Sequence, residues 1–141
     1  MTDAFGEAGA REDAAGARIL IVDDEPANTT ILDRLLRQAG YPQIAITNDS
    51  REALPLYEEF RPDVVLLDLQ LRTGTGTDVI RAVRADPQLG NVRLAVLSNH
   101  VSPQMRSGCL ELGADDYFDK VKELGALAAR LDELAAEKLA G

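Results

Sequence analysis

Between two aspartates the chain runs Val64-Val65-Leu66-Leu67 without a polar break, with Asp63 before the run and Asp68 after it. A stretch this short, rich in Val and Leu and bounded by polar residues, reads as a strand covered on both faces, as inside a parallel sheet. Ligand crevices of open α/β sheets lie at the carboxyl ends of the strands, so Asp68 would be presented to whatever binds there. Arg18-Ile19-Leu20-Ile21-Val22-Asp23-Asp24 repeats the pattern, an apolar strand ending in acid. If the two strands are neighbours, Asp23, Asp24 and Asp68 arrive at one edge.

The rest of the chain alternates in the same way. Pro26 opens an amphipathic helix with rows Ala27, Ile31, Leu35 and Leu32, Leu36, Ala39, and Gly40 stops it. Ile44-Ala45-Ile46 is a short second strand. Ser50 is expected to cap a helix reaching about Phe60, and Pro55 within it should bend it by crowding the carbonyl of Arg51. After Asp68 a loop through Gly76 leads to a helix with Val79, Ile80 and Val83 inward, ended by Asp86-Pro87. Val92 to Leu97 is a fourth strand, followed by Ser98-Asn99-His100. Ser102-Pro103 then starts a helix lined on one side by Met105, Cys109 and Leu112 and closed by Gly113. Tyr117-Phe118 form a brief fifth strand ending near Lys120, and Leu124, Leu127, Leu131 and Leu134 mark a last helix. Strands and helices in strict alternation imply an α/β fold, a parallel sheet with helices on both faces. The flavodoxin-like order 2-1-3-4-5, a doubly wound five-stranded sheet, sets the first and third strands side by side.

Composition narrows the partners. The chain has 141 residues, 45% apolar, enough for one packed core. Its net charge of −9 argues against a nucleic-acid face or a polybasic membrane patch, since both need clustered Lys and Arg. No apolar run approaches the roughly 20 residues that cross a bilayer. The acidic N-terminus is no secretory signal, and the single cysteine, Cys109, forms no internal disulfide, so a cytoplasmic location is expected. Residues 1–17, mostly Ala, Gly and acid around Phe5, bury too little to order themselves; a disordered tail is expected there and the domain over 18–141.

Three carboxylates close together repel one another unless a proton or a cation intervenes. Oxygen-only ligands suit Mg²⁺, or Mn²⁺, and the lack of a His or Cys cluster argues against zinc. The fourth strand adds the Ser98 hydroxyl and the fifth the Lys120 ammonium to the same edge. Acid cluster, hydroxyl and lysine suit a phosphoryl group: one carboxylate attacks, and metal, Lys120 and Ser98 hold the phosphoryl oxygens.

These residues carry a resemblance. I-L-I-V-D-D-E-P at 19–26, D-V-V-L-L-D-L-Q-L at 63–71, Gly76, V-L-S-N-H at 96–100 and G-A-D-D-Y-F-D-K at 113–120 together resemble the receiver domains of bacterial two-component response regulators. The resemblance covers about Arg18 to Leu139. It implies that Asp68 is the phosphoacceptor, supplied by a sensor histidine kinase or a histidine phosphotransfer protein, and that the domain is no enzyme beyond its own phosphorylation and dephosphorylation. It implies that Asp24 and Asp68 ligate Mg²⁺ with the Gln70 carbonyl, while Asp23 acts through water. Ser98 would be the switch hydroxyl, Tyr117 the aromatic side chain that follows it inward, and Lys120 the partner of the acyl phosphate. A downstream protein target would dock on residues 102–139.

Two positions depart from the family pattern: Val121 follows Lys120 where a proline is usual, and Arg72 stands where a proline commonly falls four residues after the phosphoacceptor. Gln70 and His100, each two residues beyond a site residue, should stand at the pocket mouth and set the lifetime of the aspartyl phosphate by orienting or excluding water. Plainer readings exist: Asp23 and Asp24 as helix caps, Ser98 as a turn hydroxyl, Tyr117 as core-rim packing, Lys120 as a solvated lysine, His100 as an exposed loop residue. The leading expectation is a stand-alone receiver, acting by protein contacts or as a phosphorelay shuttle. A metal-dependent phosphohydrolase is the alternative, but it would want an acid where Gln70 stands. A phosphorylation-independent binding module is a third, set against the complete group of acids, hydroxyl and lysine.

Overall fold

The run at Val64–Asp68 is the spine of the sheet. The computed structural model describes residues 16–71, 74–86, 91–99, 102–120 and 124–140, with the backbone alone at Gln70, Leu71, Gly74, Thr75, Leu124, Leu139 and Ala140. The tail through residue 15, Arg72, Pro87, His100 and Val121 lie outside the described residues. Strands β1 (Ile19–Val22), β2 (Ile44–Thr47), β3 (Val64–Asp68), β4 (Arg93–Ser98) and β5 (Asp116–Asp119) form one sheet in the order β2-β1-β3-β4-β5. Every pairing in it is parallel. Helices α1 (Pro26–Gln38), α2 (Ala53–Phe60), α3 (Gly76–Ala85), α4 (Pro103–Leu112) and α5 (Leu124–Ala140) make the crossovers.

All of β3 is buried, and its side chains divide by the two-residue period of a strand. Val64 and Leu66 join Ile19, Ile21, Leu36 and the α5 leucines Leu127, Leu131 and Leu134 on one side. Val65 and Leu67 join Leu20, Val22, Tyr57, Ile80 and Val83 on the other. Burial of each such side chain contributes roughly 1.5–3 kcal/mol, so two apolar layers on one central strand hold the sheet's middle. The core reaches back one residue beyond Arg18, since Ala17 is wholly buried.

Three local expectations are corrected. The α1 row Ala27, Ile31, Leu35 does not face the core: Ile31 is 56% exposed, and the buried residues are Thr29, Leu32 and Leu36. Only one side of α1 meets the sheet, and Thr29 fits there because its hydroxyl donates to the Pro26 carbonyl at 3.0 Å, leaving no unmet polar group. Ser50 is not a cap. Asp49 caps a 3₁₀ turn over Ser50–Glu52, its carboxylate accepting from the Arg51 N–H at 2.9 Å, and α2 begins only at Ala53. Pro55 therefore falls in the first turn of α2, where its missing N–H costs no intrahelical bond, and Arg51 sits in the tighter turn before it. The expected mid-helix proline bend has no place in this geometry.

Register brings the acids together. Val22 is opposite Leu67, so Asp23 and Asp68 each follow on adjacent strands, and Asp68 is opposite Leu97, one residue before Ser98. Ser98 is opposite Asp119, one residue before Lys120. All of them lie at the carboxyl edge of the sheet.

Candidate functional site

Asp23 is 1% exposed and Asp68 6%, unusual burial for carboxylates. With the partly exposed Asp24, each offers an oxygen within 4.8 Å of the others. The Lys120 ammonium donates to Asp23 Oδ2 at 2.8 Å and pairs with Asp68 Oδ2 at 3.2 Å. The other Asp23 oxygen accepts from the Glu25 N–H at 3.0 Å, which fixes the turn from β1 into α1. Burial alone would lower the pKa of Lys120, but the Asp23 hydrogen bond and the Asp68 charge outweigh it and the net shift is upward.

Three carboxylates and one ammonium leave a local charge of −2, the charge a divalent cation would match. The donors are all oxygen, which suits Mg²⁺ or Mn²⁺ over zinc. The residues present therefore fit such an ion. Gln70 adds backbone to this edge: Gln70–Leu71 pairs antiparallel with Gly74–Thr75 in a short hairpin directly after Asp68. Gly76 closes the loop, its N–H donating to the Leu69 carbonyl at 2.8 Å. A Cβ at Gly76 would stand 2.7 Å from the Asp68 carbonyl oxygen and 2.8 Å from Leu69 Cα, both backbone, so only glycine fits.

Ser98 is wholly buried at the end of β4, and its carbonyl accepts from the Lys120 N–H at 2.9 Å. Tyr117 is also wholly buried. Burial raises the pKa of its phenol, opposed by a hydrogen bond with Ser98. The guanidinium of Arg106 lies over the Tyr117 ring, 5.6 Å from its centroid. Of the residues singled out from sequence, Asp23, Asp24, Asp68 and Lys120 come together, and Ser98 and Tyr117 are linked beside them. The Gln70 side chain and His100 lie outside the described residues.

Sequence reasoning missed Asn48. Its amide donates to the Asp23 carbonyl at 2.7 Å and to Thr29 at 3.3 Å, tying the end of β2 to the acid-bearing turn. Its signal was position, one residue past an apolar strand at the same sheet edge.

Sheet order and acidic crevice together define a class: doubly wound α/β domains that hold a charged ligand where adjacent crossovers part. Residues 19–132 match the family model described as the response regulator receiver domain, and the chain belongs to that family. It is 40% identical over 119 residues to the DNA-binding response regulator MtrA of Mycolicibacterium smegmatis, covering 84% of this chain and 50% of that protein. It is 38% identical over 117 residues to the transcriptional regulatory protein PrrA of Mycobacterium tuberculosis, covering 83% of this chain and 49% of PrrA. The chain thus spans about half the length of these relatives. A LuxR-family two-component response regulator structure from Aurantimonas superposes with a TM-score of 0.78 at 31% identity, covering 86% of each chain. Receiver domains of response regulators are phosphoacceptor signalling domains with an acidic Mg²⁺ pocket, served by histidine kinases or phosphotransfer proteins. No helix among the described residues is long and apolar enough to cross a membrane.

Proposed function

We propose that Asp68 accepts a phosphoryl group from the phosphohistidine of a sensor kinase or a histidine phosphotransfer protein. The observation that carries this is a 6% exposed carboxylate paired at 3.2 Å with Lys120 and clustered with two further acids at the sheet's carboxyl edge. An Asp68 oxygen attacks phosphorus, the P–N bond breaks, and the departing imidazole keeps the electron pair and takes up a proton. Asp24, Asp68 and the Gln70 carbonyl would hold Mg²⁺, with Asp23 acting through water; the bound ion would offset charge on the transferring phosphoryl oxygens. Lys120 moves from neutralising two carboxylates to holding the new acyl phosphate.

The added charge then draws the Ser98 hydroxyl toward the phosphoryl group, and Tyr117, hydrogen-bonded to Ser98, follows. The read-out is a protein target on the face built by α4, β5 and α5, residues 102–139, where Leu110 is 42% exposed. DNA binding belongs to the name of a relative of which this chain matches half, and a net charge of −9 disfavours direct contact with a phosphate backbone. By their sequence positions, two residues beyond Asp68 and Ser98, Gln70 and His100 are assigned the lifetime of the phosphate. Intact mass after incubation with Mg²⁺ and acetyl phosphate tests the reading. A single phosphoryl adduct, lost in Asp68→Ala and in chelator, is expected; an unmodified wild-type protein, or an adduct that survives Asp68→Ala, overturns it.

A further inference from the structure

Tyr117 is held at two ends by two different elements. Its hydroxyl bonds to Ser98 at the end of β4, and its face lies beneath Arg106 of α4. Arg106 is not on a loose segment. Its N–H donates to the Ser102 carbonyl at 3.0 Å, and the Ser102 hydroxyl caps the same turn by accepting from the Met105 N–H at 3.1 Å. The cation is thus presented from a fixed helix end to a ring that is wholly buried. An aromatic side chain on a strand has a small set of staggered positions, and contacts on its face and edge choose among them. A cation within about 6 Å of the ring face favours the position that keeps the ring beneath it.

We propose that Arg106 is a positioning residue that holds the Tyr117 ring in its inward position before any phosphoryl transfer. Ser98 alone would tie the ring to the state of the phosphoacceptor pocket; Arg106 adds a hold that comes from α4. The α4-β5-α5 face is thereby biased toward its tyrosine-in arrangement at rest, and phosphorylation has less far to shift it. The link from ring position to partner binding rests on the phosphoacceptor reading, while the position of the ring does not.

The chain has three tyrosines, and the other two serve as internal references. The Tyr41 hydroxyl bonds to Asp132 on the α1 and α5 side of the sheet, and Tyr57, on α2, is buried against the opposite side. Ring resonances of ¹³C-labelled tyrosine are to be compared in wild type, Arg106→Leu, Arg106→Gln and Arg106→Lys. In the neutral variants the inward-to-outward ratio at Tyr117 is expected to fall about threefold to tenfold, with Arg106→Lys recovering part of it and Tyr41 and Tyr57 unmoved. Tyr117 resonances unchanged in both neutral variants overturn the proposal, and so does a common movement of all three tyrosines, which marks a general loss of packing. The acetyl phosphate mass assay on the same variants separates the two readings: a missing adduct in wild type refutes phosphorylation of Asp68 and leaves the ring measurement standing.

Discussion

One ammonium serves two buried carboxylates, and the balance at that point decides how single substitutions act. Lys120→Met keeps the length of the side chain and removes its charge, leaving Asp23 and Asp68 facing each other with no cation. Breaking a largely buried pair in this way is expected to cost about 2–3 kcal/mol in chelator, read from urea midpoints. Asp68→Asn removes one of three mutually repelling charges and should raise stability by about 0.5–1 kcal/mol under the same conditions. A solvated lysine would give neither sign. The raised pKa of Lys120 also fixes a pH window. A cation whose folded pKa exceeds its free value of 10.5 contributes fully below that value and loses the contribution as pH rises through the folded pKa. The difference between wild type and Lys120→Met should therefore hold from neutral pH to about 9 and shrink above about 10.5. The site acids were readable in the chain because each ends an apolar strand. Lys120 bonding to Asp23 was not, since that partner lies 97 residues away and is chosen by the packed sheet. Asn48 and Arg106 escaped for the same reason.

Helices and strands fell where periodicity and punctuation put them, and the misreadings have local causes. Two rows of apolar residues on α1 looked alike, yet a helix lying on one side of a sheet buries a single stripe, which leaves Ile31 in solvent. Ser and Asp are both good caps, and the 3₁₀ turn that made Asp49 the cap depends on spacing to β2 rather than on residue type. Gly76 is the most constrained position among the elements around the site. Gly76→Ala forces Cβ against the backbone of Asp68 and Leu69, and a cost of about 1–3 kcal/mol is expected together with weaker Mg²⁺ binding, measured by melting with and without the ion. On α4, burial raises the pKa of the Cys109 thiol, which is 2% exposed. Iodoacetamide at pH 8 should modify it at least about tenfold more slowly in the native protein than in urea, followed by mass. Rapid native labelling would mean that α4 opens readily from the sheet.

The molecule divides its labour between the two ends of one sheet. At the carboxyl end like charges are gathered, a destabilising arrangement that a bound cation would relieve. At the amino end, Arg84 from the last turn of α3 crosses to three places at once: the Val92 carbonyl at 2.6 Å, the Gly113 carbonyl at 2.8 Å and the Asp115 carboxylate at 3.0 Å. Asp115 in turn accepts from the Leu94 N–H at 2.8 Å, so one side chain ties α3, the start of β4 and the turn from α4 into β5. Gly113, readable from the chain only as a helix stop, has a second duty here: a Cβ on it would stand 2.8 Å from Arg84 Cγ. Arg84→Met keeps the stem and removes the charged bonds, leaving Asp115 partly buried with a weakened set of partners. Because bonds to a charged group contribute more than neutral ones, and several are lost, a drop of about 2–4 kcal/mol in unfolding free energy is expected. The affinity for Mg²⁺ and the yield of acetyl phosphate labelling should stay at wild-type values below the melting range, since Arg84 and the acid cluster occupy opposite edges of the sheet. A fall in metal affinity on Arg84→Met, at a temperature where the variant is fully folded by circular dichroism, would show that β4 and β5 carry strain from one end of the sheet to the other, and that the two ends are not independent.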